Sequence, residues 1–181
     1  MGVALAAGAG VRFGGPKAPF NYQGIRLVDR AVANLRSGGC ESVVVVLGAW
    51  VGEVPGADEI LINPNWESGL SSSLRVAIEF AVDSVYERIC LTLVDLPGLT
   101  PDAVRRILAS ESGMASATYR GAPTHPVVIT REHWSPLLNT LSGDTGARNY
   151  LRGQGALVDE IAIDDVAVGD DLDFHPTGGA A

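Results

Sequence analysis

Val43-Val44-Val45-Val46-Leu47 is the stretch on which the fold turns. Five consecutive apolar residues, four of them β-branched, favour extended backbone and leave no polar face for water. A strand of that kind is buried on both sides, as strands are in parallel sheets covered by helices. Outward from it the same alternation repeats. Residues 3–7 form a compact apolar run that stops at Gly8, which predicts a second buried strand. Leu27, Val28, Ala31, Val32 and Leu35 recur at helical spacing before Gly38-Gly39, a helix stop. Residues 59–62 read as a short strand. Leu74, Ala77, Ile78, Ala81 and Val82 mark one face of a helix for which Ser71, Ser72 and Ser73 are available as caps. Residues 89–94 read as a strand ending at Asp95, and Thr100-Pro101-Asp102 supplies a capping hydroxyl, a first-turn proline and an early acid to the next helix. Strands over 114–119 and 126–130, helices over 132–141 and 147–152, and a strand over 157–163 complete the pattern. Alternation of this kind predicts an α/β layered, mostly parallel sheet with right-handed crossovers. Residues 1–175 read as a single domain, and 176–181, small and turn-prone, as a disordered tail.

The chain has 181 residues, 46% of them hydrophobic, enough for a substantial core, and a net charge of −8. That balance excludes a nucleic-acid binder, whose affinity rests on clustered Lys and Arg. It leaves room for a nucleotide, since two or three placed cations with a metal ion suffice for one triphosphate. Cys40 and Cys90 border apolar runs and read as small buried hydrophobes in a reducing compartment, a disulfide being the alternative. Residues 1–7 lack the basic start of a secretory signal, and no apolar run reaches the ~20 residues needed to span a bilayer. The expected location is the cytoplasm.

The chemistry concentrates in Leu5-Ala6-Ala7-Gly8-Ala9-Gly10-Val11-Arg12-Phe13-Gly14-Gly15-Pro16-Lys17. A buried strand runs into glycines that let backbone N–H groups converge on phosphate oxygens, and Arg12 and Lys17 can neutralise the charge. The loop is not a P-loop, because no Gly-Lys-Ser/Thr follows, and Phe13 stands where a dinucleotide fingerprint needs its third glycine. An ordinary glycine-rich turn is the plain alternative. Gly69 to Ser73 lies ahead of a helix, so its N–H groups and hydroxyls are expected to face a ligand, unless the serines merely cap the helix. Asp95, at the carboxyl end of an apolar strand, stands where open α/β sheets place ligands. Mg²⁺ is satisfied there by one or two carboxylates plus phosphates and water. An aspartate opening a turn is the competing reading. His125, His133 and His175 are not spaced as a metal triad.

The segment from Leu5 to Lys17 resembles the signature of the MobA-like nucleotidyltransferases. Asn63-Pro64-Asn65-Trp66-Glu67-Ser68-Gly69-Leu70-Ser71-Ser72-Ser73 resembles the family's block for base and ribose, and Leu93-Val94-Asp95-Leu96-Pro97 its metal-binding segment. His125-Pro126 and Gly143-Asp144-Thr145-Gly146-Ala147-Arg148 resemble blocks near the acceptor pocket. The resemblance implies a three-layer, Rossmann-like, mostly parallel sheet of the nucleotide-diphospho-sugar transferase type. It implies an NTP held by Leu5, Ala6, Ala7, Gly8, Gly10, Arg12, Lys17, Gly69 and Ser73. Arg12, Lys17 and Asp95 would be catalytic, and Mg²⁺ would sit on Asp95 and a late carboxylate. Asp171-Leu172-Asp173 preserves the family's Asp-x-Asp, which makes Asp173 the expected second ligand with Asp171 beside it, while the helix start that follows in relatives is lost. An exposed acidic tail is the alternative. Leu-Ala-Ala-Gly, with Ala7, accompanies cytidine in this family, which implies CTP and molybdopterin as substrates. Another phosphorylated acceptor, such as phospholactate or a sugar phosphate, or a silent nucleotide-binding protein, are the alternatives.

Overall fold

Residues 1–174, those described by the computed structural model, build a seven-stranded sheet with helices on both faces. The chain begins with strand β1 (Gly2–Leu5), then a small hairpin of β2 (Asn21–Tyr22) and β3 (Ile25–Arg26), and helix α1 (Leu27–Ser37). Strand β4 (Val43–Leu47), strand β5 (Glu59–Ile62), helix α2 (Leu70–Val82) and strand β6 (Arg88–Leu93) follow. Helix α3 (Pro101–Leu108), strands β7 (Met114–Tyr119) and β8 (Ala122–Thr130), helices α4 (Trp134–Leu138) and α5 (Arg148–Gln154) and strand β9 (Val158–Ala162) complete it. The tail expected at 176–181, and His175, lie outside the described residues.

Strand order is β5-β4-β1-β6-β8-β7-β9. β1 pairs in parallel with both β4 and β6, so the chain leaves its central strand in one direction and returns on the other side. That reversal opens a crevice at the carboxyl ends of β1 and β6, where the candidate residues lie. Period-two alternation divides the core. Ala4 and Ala6, with Val43, Val45 and Leu47, pack under α1 and α3, whereas Val3, Leu5 and Val46 pack under α2 and α4. This is the three-layer arrangement expected, with β4 and β5 falling on their predicted residues. Thr100 caps α3 by accepting from the Ala103 N–H, with Pro101 in the first turn.

Four local features differ from expectation. β8 is antiparallel to its neighbours and starts at Ala122, four residues before the predicted 126, following a tight turn at Arg120 and Gly121, which carry φ of 52° and 73°. Its pairing with β7 jumps from Ser116–Val127 to Ala117–Thr124, so His125 and Pro126 bulge from the ladder where proline has no N–H to give. α2 begins at Leu70 with Gly69 as its cap residue, so Ser71, Ser72 and Ser73 lie inside the helix. The helix predicted over 132–141 is a 3₁₀ turn, Arg131–His133, followed by the five residues of α4, with Pro136 tolerated in the first turn. The β2–β3 hairpin, turned by Gln23 and Gly24 with φ of 53° and 86°, was not foreseen. Cys40 and Cys90 are buried free thiols. Among the described residues no helix is long and apolar enough to cross a membrane.

Candidate active site

The glycine-rich loop leaves β1 while still tied to the sheet. The Ala6 N–H donates to the Val46 carbonyl and the Ala49 N–H to that of Ala7. Leu5, Ala6 and Ala7 are therefore buried, and only their backbone or, for Leu5, one cavity-facing surface is offered to a ligand. Beyond them the loop folds onto Gly10. Gly14 and Gly15 donate to the Gly10 carbonyl at 2.8 and 3.1 Å. Gly10 has φ of 60°, and a methyl group there would overlap the Gly15 carbonyl. Gly10 thus closes the loop, whereas Gly8 stays open, with space on its Cα. Among the described residues the N–H groups of Gly8, Ala9, Gly10, Val11 and Arg12 have no acceptor, which leaves a run of open donors at the sheet's carboxyl edge.

Facing that edge is a cluster of opposite charges. Lys17 Nζ lies 2.9 Å from Asp95 Oδ2 and 3.8 Å from Asp173 Oδ1, and Arg12 reaches Asp173 at 3.2 Å. The segment carrying Asp173 is docked by its backbone, the Leu172 N–H donating to the Asp95 carbonyl at 2.8 Å. Asp171 borders the same space. Its carboxyl is raised above the usual range by partial withdrawal from water and by Asp95 and Asp173 nearby. Asp95 Oδ1 is buried without a hydrogen-bond partner among the described residues, an arrangement normally costly for a carboxylate. A cation contacting Asp95 would satisfy that oxygen, so the donor set fits a divalent metal. No group of three or more His, Cys, Asp or Glu side chains capable of holding a metal occurs among the described residues. Substrate phosphate oxygens would have to complete such a site.

Gly69 and Ser73 are arranged differently from what their sequence suggests. Gly69 has φ of 103° and lies against Gly143 and Asp144. The Leu70 N–H donates to Asp144 Oδ1, 74 residues away in sequence, and the Ser71 N–H to the Gly143 carbonyl, so two of the four open donors of α2 are taken by a distant loop. Ser73 is buried, and its hydroxyl, with that of Ser72, accepts from the Asn63 side-chain amide at 3.0 and 2.7 Å. These hydroxyls knit α2 to the 63–65 turn rather than face open space. Trp66 packs against the core beneath α2.

Between α2, α5 and the β6–β8 face lies a cavity of about 700 Å³. His125 reaches its wall because of the β8 bulge, and burial, with Arg148 nearby, pushes its imidazole down to about 4 against an upward pull from Asp95. It is neutral at physiological pH. Arg148 and Arg152 of α5 and Asp171 line the same cavity, which places it beside the charged cluster. Arg148 belongs to a block visible in the sequence. Asn63 opens another such block, whereas Arg152 lies in none, and its helical spacing of four from Arg148 is the one available signal.

The chain is 38% identical over 187 residues to the nicotine blue oxidoreductase of Paenarthrobacter nicotinovorans, covering 95% of this chain and 91% of that protein. It superposes on the crystal structure of Rv0371c from Mycobacterium tuberculosis H37Rv with a TM-score of 0.78 and 27% identity, covering 96% of this chain and 92% of that one. A manganese complex of the same mycobacterial protein matches with a TM-score of 0.72 and 25% identity over 94% and 91% of the two chains. The family description "MobA-like NTP transferase domain" matches residues 2–160, and the chain belongs to that family of nucleotidyltransferases.

Proposed function

We propose that the protein transfers a nucleoside monophosphate from an NTP to a phosphorylated acceptor and releases pyrophosphate. The observation that carries this reading is the meeting of Lys17, Asp95 and Asp173 beside a loop in which the N–H groups of Gly8, Ala9, Gly10, Val11 and Arg12 have no acceptor among the described residues. The open N–H groups and Arg12 bind the polyphosphate. Lys17 holds Asp95 and Asp173 together and offsets charge that accumulates on the departing pyrophosphate. An oxygen of the acceptor phosphate forms a bond to the α-phosphorus as the bond to the β-phosphate oxygen breaks. That nucleophile is ionised at neutral pH, so positioning and charge neutralisation suffice without a base. His125, neutral in its wall, is not needed as one. A divalent cation on Asp95 and Asp173, Mg²⁺ or the manganese present in the mycobacterial relative, would supply Lewis-acid neutralisation of the phosphates. Ala7 favours CTP, and the cytidylyl-type Gly143–Arg148 block favours molybdopterin as acceptor. The free buried thiols suit the cytoplasm. The test is pyrophosphate release with each of the four NTPs, Mg²⁺ or Mn²⁺, and molybdopterin. Asp95→Ala is expected to reduce turnover at least about a hundredfold, and survival within a few-fold would remove Asp95 from the mechanism.

One observation favours a second reading. The 38% identity over nearly the whole chain is to a protein named for oxidation and reduction. On this reading the same loop holds the phosphates of a redox cofactor, and the cavity holds the compound that exchanges electrons. Oxidation of NADH or NADPH by a dye acceptor without pyrophosphate release would support it. Nucleotide binding without turnover in either assay would point to a silent binding protein.

A further inference from the structure

Cys40 and Cys90, the chain's two cysteines, stand fifty positions apart in sequence and meet in one layer of the core. Cys90 lies on β6 beside Gly2, its registered partner across the parallel β1–β6 pair. Neighbouring strands run about 4.8 Å apart, and registered residues point to the same face. Cys40 comes to that face from the turn after α1, where its N–H donates to the Leu35 carbonyl at 3.0 Å. A methyl group on Gly2 would lie 3.0 Å from both the Cβ and the Sγ of Cys40. Cys40 thus fills the space that a side chain at position 2 would take, next to Cys90 on the adjoining strand. A disulfide needs Cβ atoms about 3.5–4.5 Å apart, which is the scale of this juxtaposition.

The two thiols are unequal. A hydrogen bond from the Cys90 thiol draws that of Cys40 below its ordinary range, against the effect of its burial. The same bond, together with burial, holds the Cys90 thiol well above its ordinary range. Cys40 also stands nearer to solvent, 5% exposed against 1% for Cys90, and between the exposed Gly39 and Glu41. It is therefore the sulfur that a small oxidant meets first and the one that more readily supplies a thiolate.

We propose that Cys40 and Cys90 form a redox-responsive pair, which a peroxide closes into a disulfide that staples the exit of α1 to β6, the strand leading to Asp95. The Cys40 thiolate attacks one peroxide oxygen, so that an S–O bond forms, the O–O bond breaks and hydroxide leaves to take up the proton that Cys40 lost. The Cys90 sulfur then attacks the Cys40 sulfenic sulfur, forming the S–S bond as the S–O bond breaks, and the Cys90 proton departs in water. Two thiols lose two electrons and two protons, and one peroxide becomes two waters. A small dithiol reverses the change. The staple removes freedom from the unfolded chain by closing the segment between the two cysteines, so the oxidised protein is the more stable. The assignment is independent of which reaction the site beyond β6 performs.

Thiol counting, non-reduced peptide mapping and thermal melts of the full chain, before and after millimolar hydrogen peroxide at neutral pH, test this without nucleotide or acceptor. The expected result is loss of both thiols together, as one Cys40–Cys90 crosslink within the chain. Tm should rise by about 5–15 °C, and dithiothreitol should reverse both changes. Cys40→Ser and Cys90→Ser should each show neither crosslink nor rise. Gly2→Ala keeps both thiols but places a methyl group where Cys40 lies, so its crosslink should form at least about tenfold more slowly. Should that variant fail to fold, the parent and the two serine variants decide the matter. Retention of both thiols by the parent, oxidation of either to a sulfinic acid without a crosslink, crosslinks between chains, or a crosslink that leaves Tm unchanged would each overturn the assignment. The pyrophosphate assay, run in dithiothreitol, is unaffected by any of these outcomes.

Discussion

Replacing Lys17 by methionine keeps most of the side chain's length and apolar stem but removes its ammonium. In the structure that ammonium is the hydrogen-bond donor to Asp95 Oδ2, at 2.9 Å, with the two side chains 14% and 22% exposed. The other oxygen of the same carboxylate already has no partner among the described residues. A fully exposed pair is worth at most about 1 kcal/mol, whereas removing one member of a fully buried pair costs about 3–5 kcal/mol. This pair lies between those limits, and Lys17→Met is expected to cost about 2 kcal/mol. For a chain of this size that is a fall of about 4–8 °C in Tm without metal. Divalent metal should then restore stability, because a cation on Asp95 replaces the missing charge. At a hundred times its Kd it contributes about 2.7 kcal/mol, or about 5–10 °C. The parent should respond less, since Lys17 competes for the same carboxylates. Thermal melts with EDTA and with increasing Mn²⁺ provide the assay. A loss below about 1 °C, or equal metal responses in the two proteins, would refute the view that Lys17 occupies the cation position beside Asp95.

Gly69→Ala forces a side chain onto backbone at φ 103°, where its methyl would lie 2.5 Å from Asp144 Oδ1 and 2.6 Å from Gly143. Strain and loss of the Asp144 cap together predict about 2–4 kcal/mol by chemical denaturation, while Gly153→Ala, in α5 with open space around it, should be neutral or slightly stabilising. His125 is held down to about 4 from an ordinary 6.5, so between those values the unfolded chain takes up a proton that the folded chain refuses. Stability should therefore decline as pH falls from 6.5 towards 4, and His125→Asn should flatten that part of the curve, as read by urea unfolding at pH 7 and pH 5.

What was legible in the sequence has a common cause. Val43–Leu47 and Glu59–Ile62 are strands on their predicted residues because a β-branched apolar run has few other ways to exclude water. Thr100 caps α3 because its partner, the Ala103 N–H, is three residues away. Lys17 and Asp95, 78 residues apart, meet because each follows a strand, and the two strands are neighbours in the sheet. Features that depend on distant partners were not legible. The serines ahead of the α2 face look like caps, but Asp144 and Gly143 arrive from elsewhere and take the Leu70 and Ser71 N–H groups. β8 runs through Pro123 and Pro126, residues that argue locally against a strand, and a bulge accommodates the second.

The most direct test follows phosphorus. ³¹P NMR of the parent protein with CTP, Mg²⁺ and molybdopterin should show pyrophosphate rising in step with a new nucleotide–acceptor diphosphate, and neither signal should rise with Asp95→Ala. Oxidation of a reduced nicotinamide cofactor in parallel samples, with the triphosphate and acceptor phosphorus signals unchanged for every NTP and phosphorylated acceptor tried, would contradict the account.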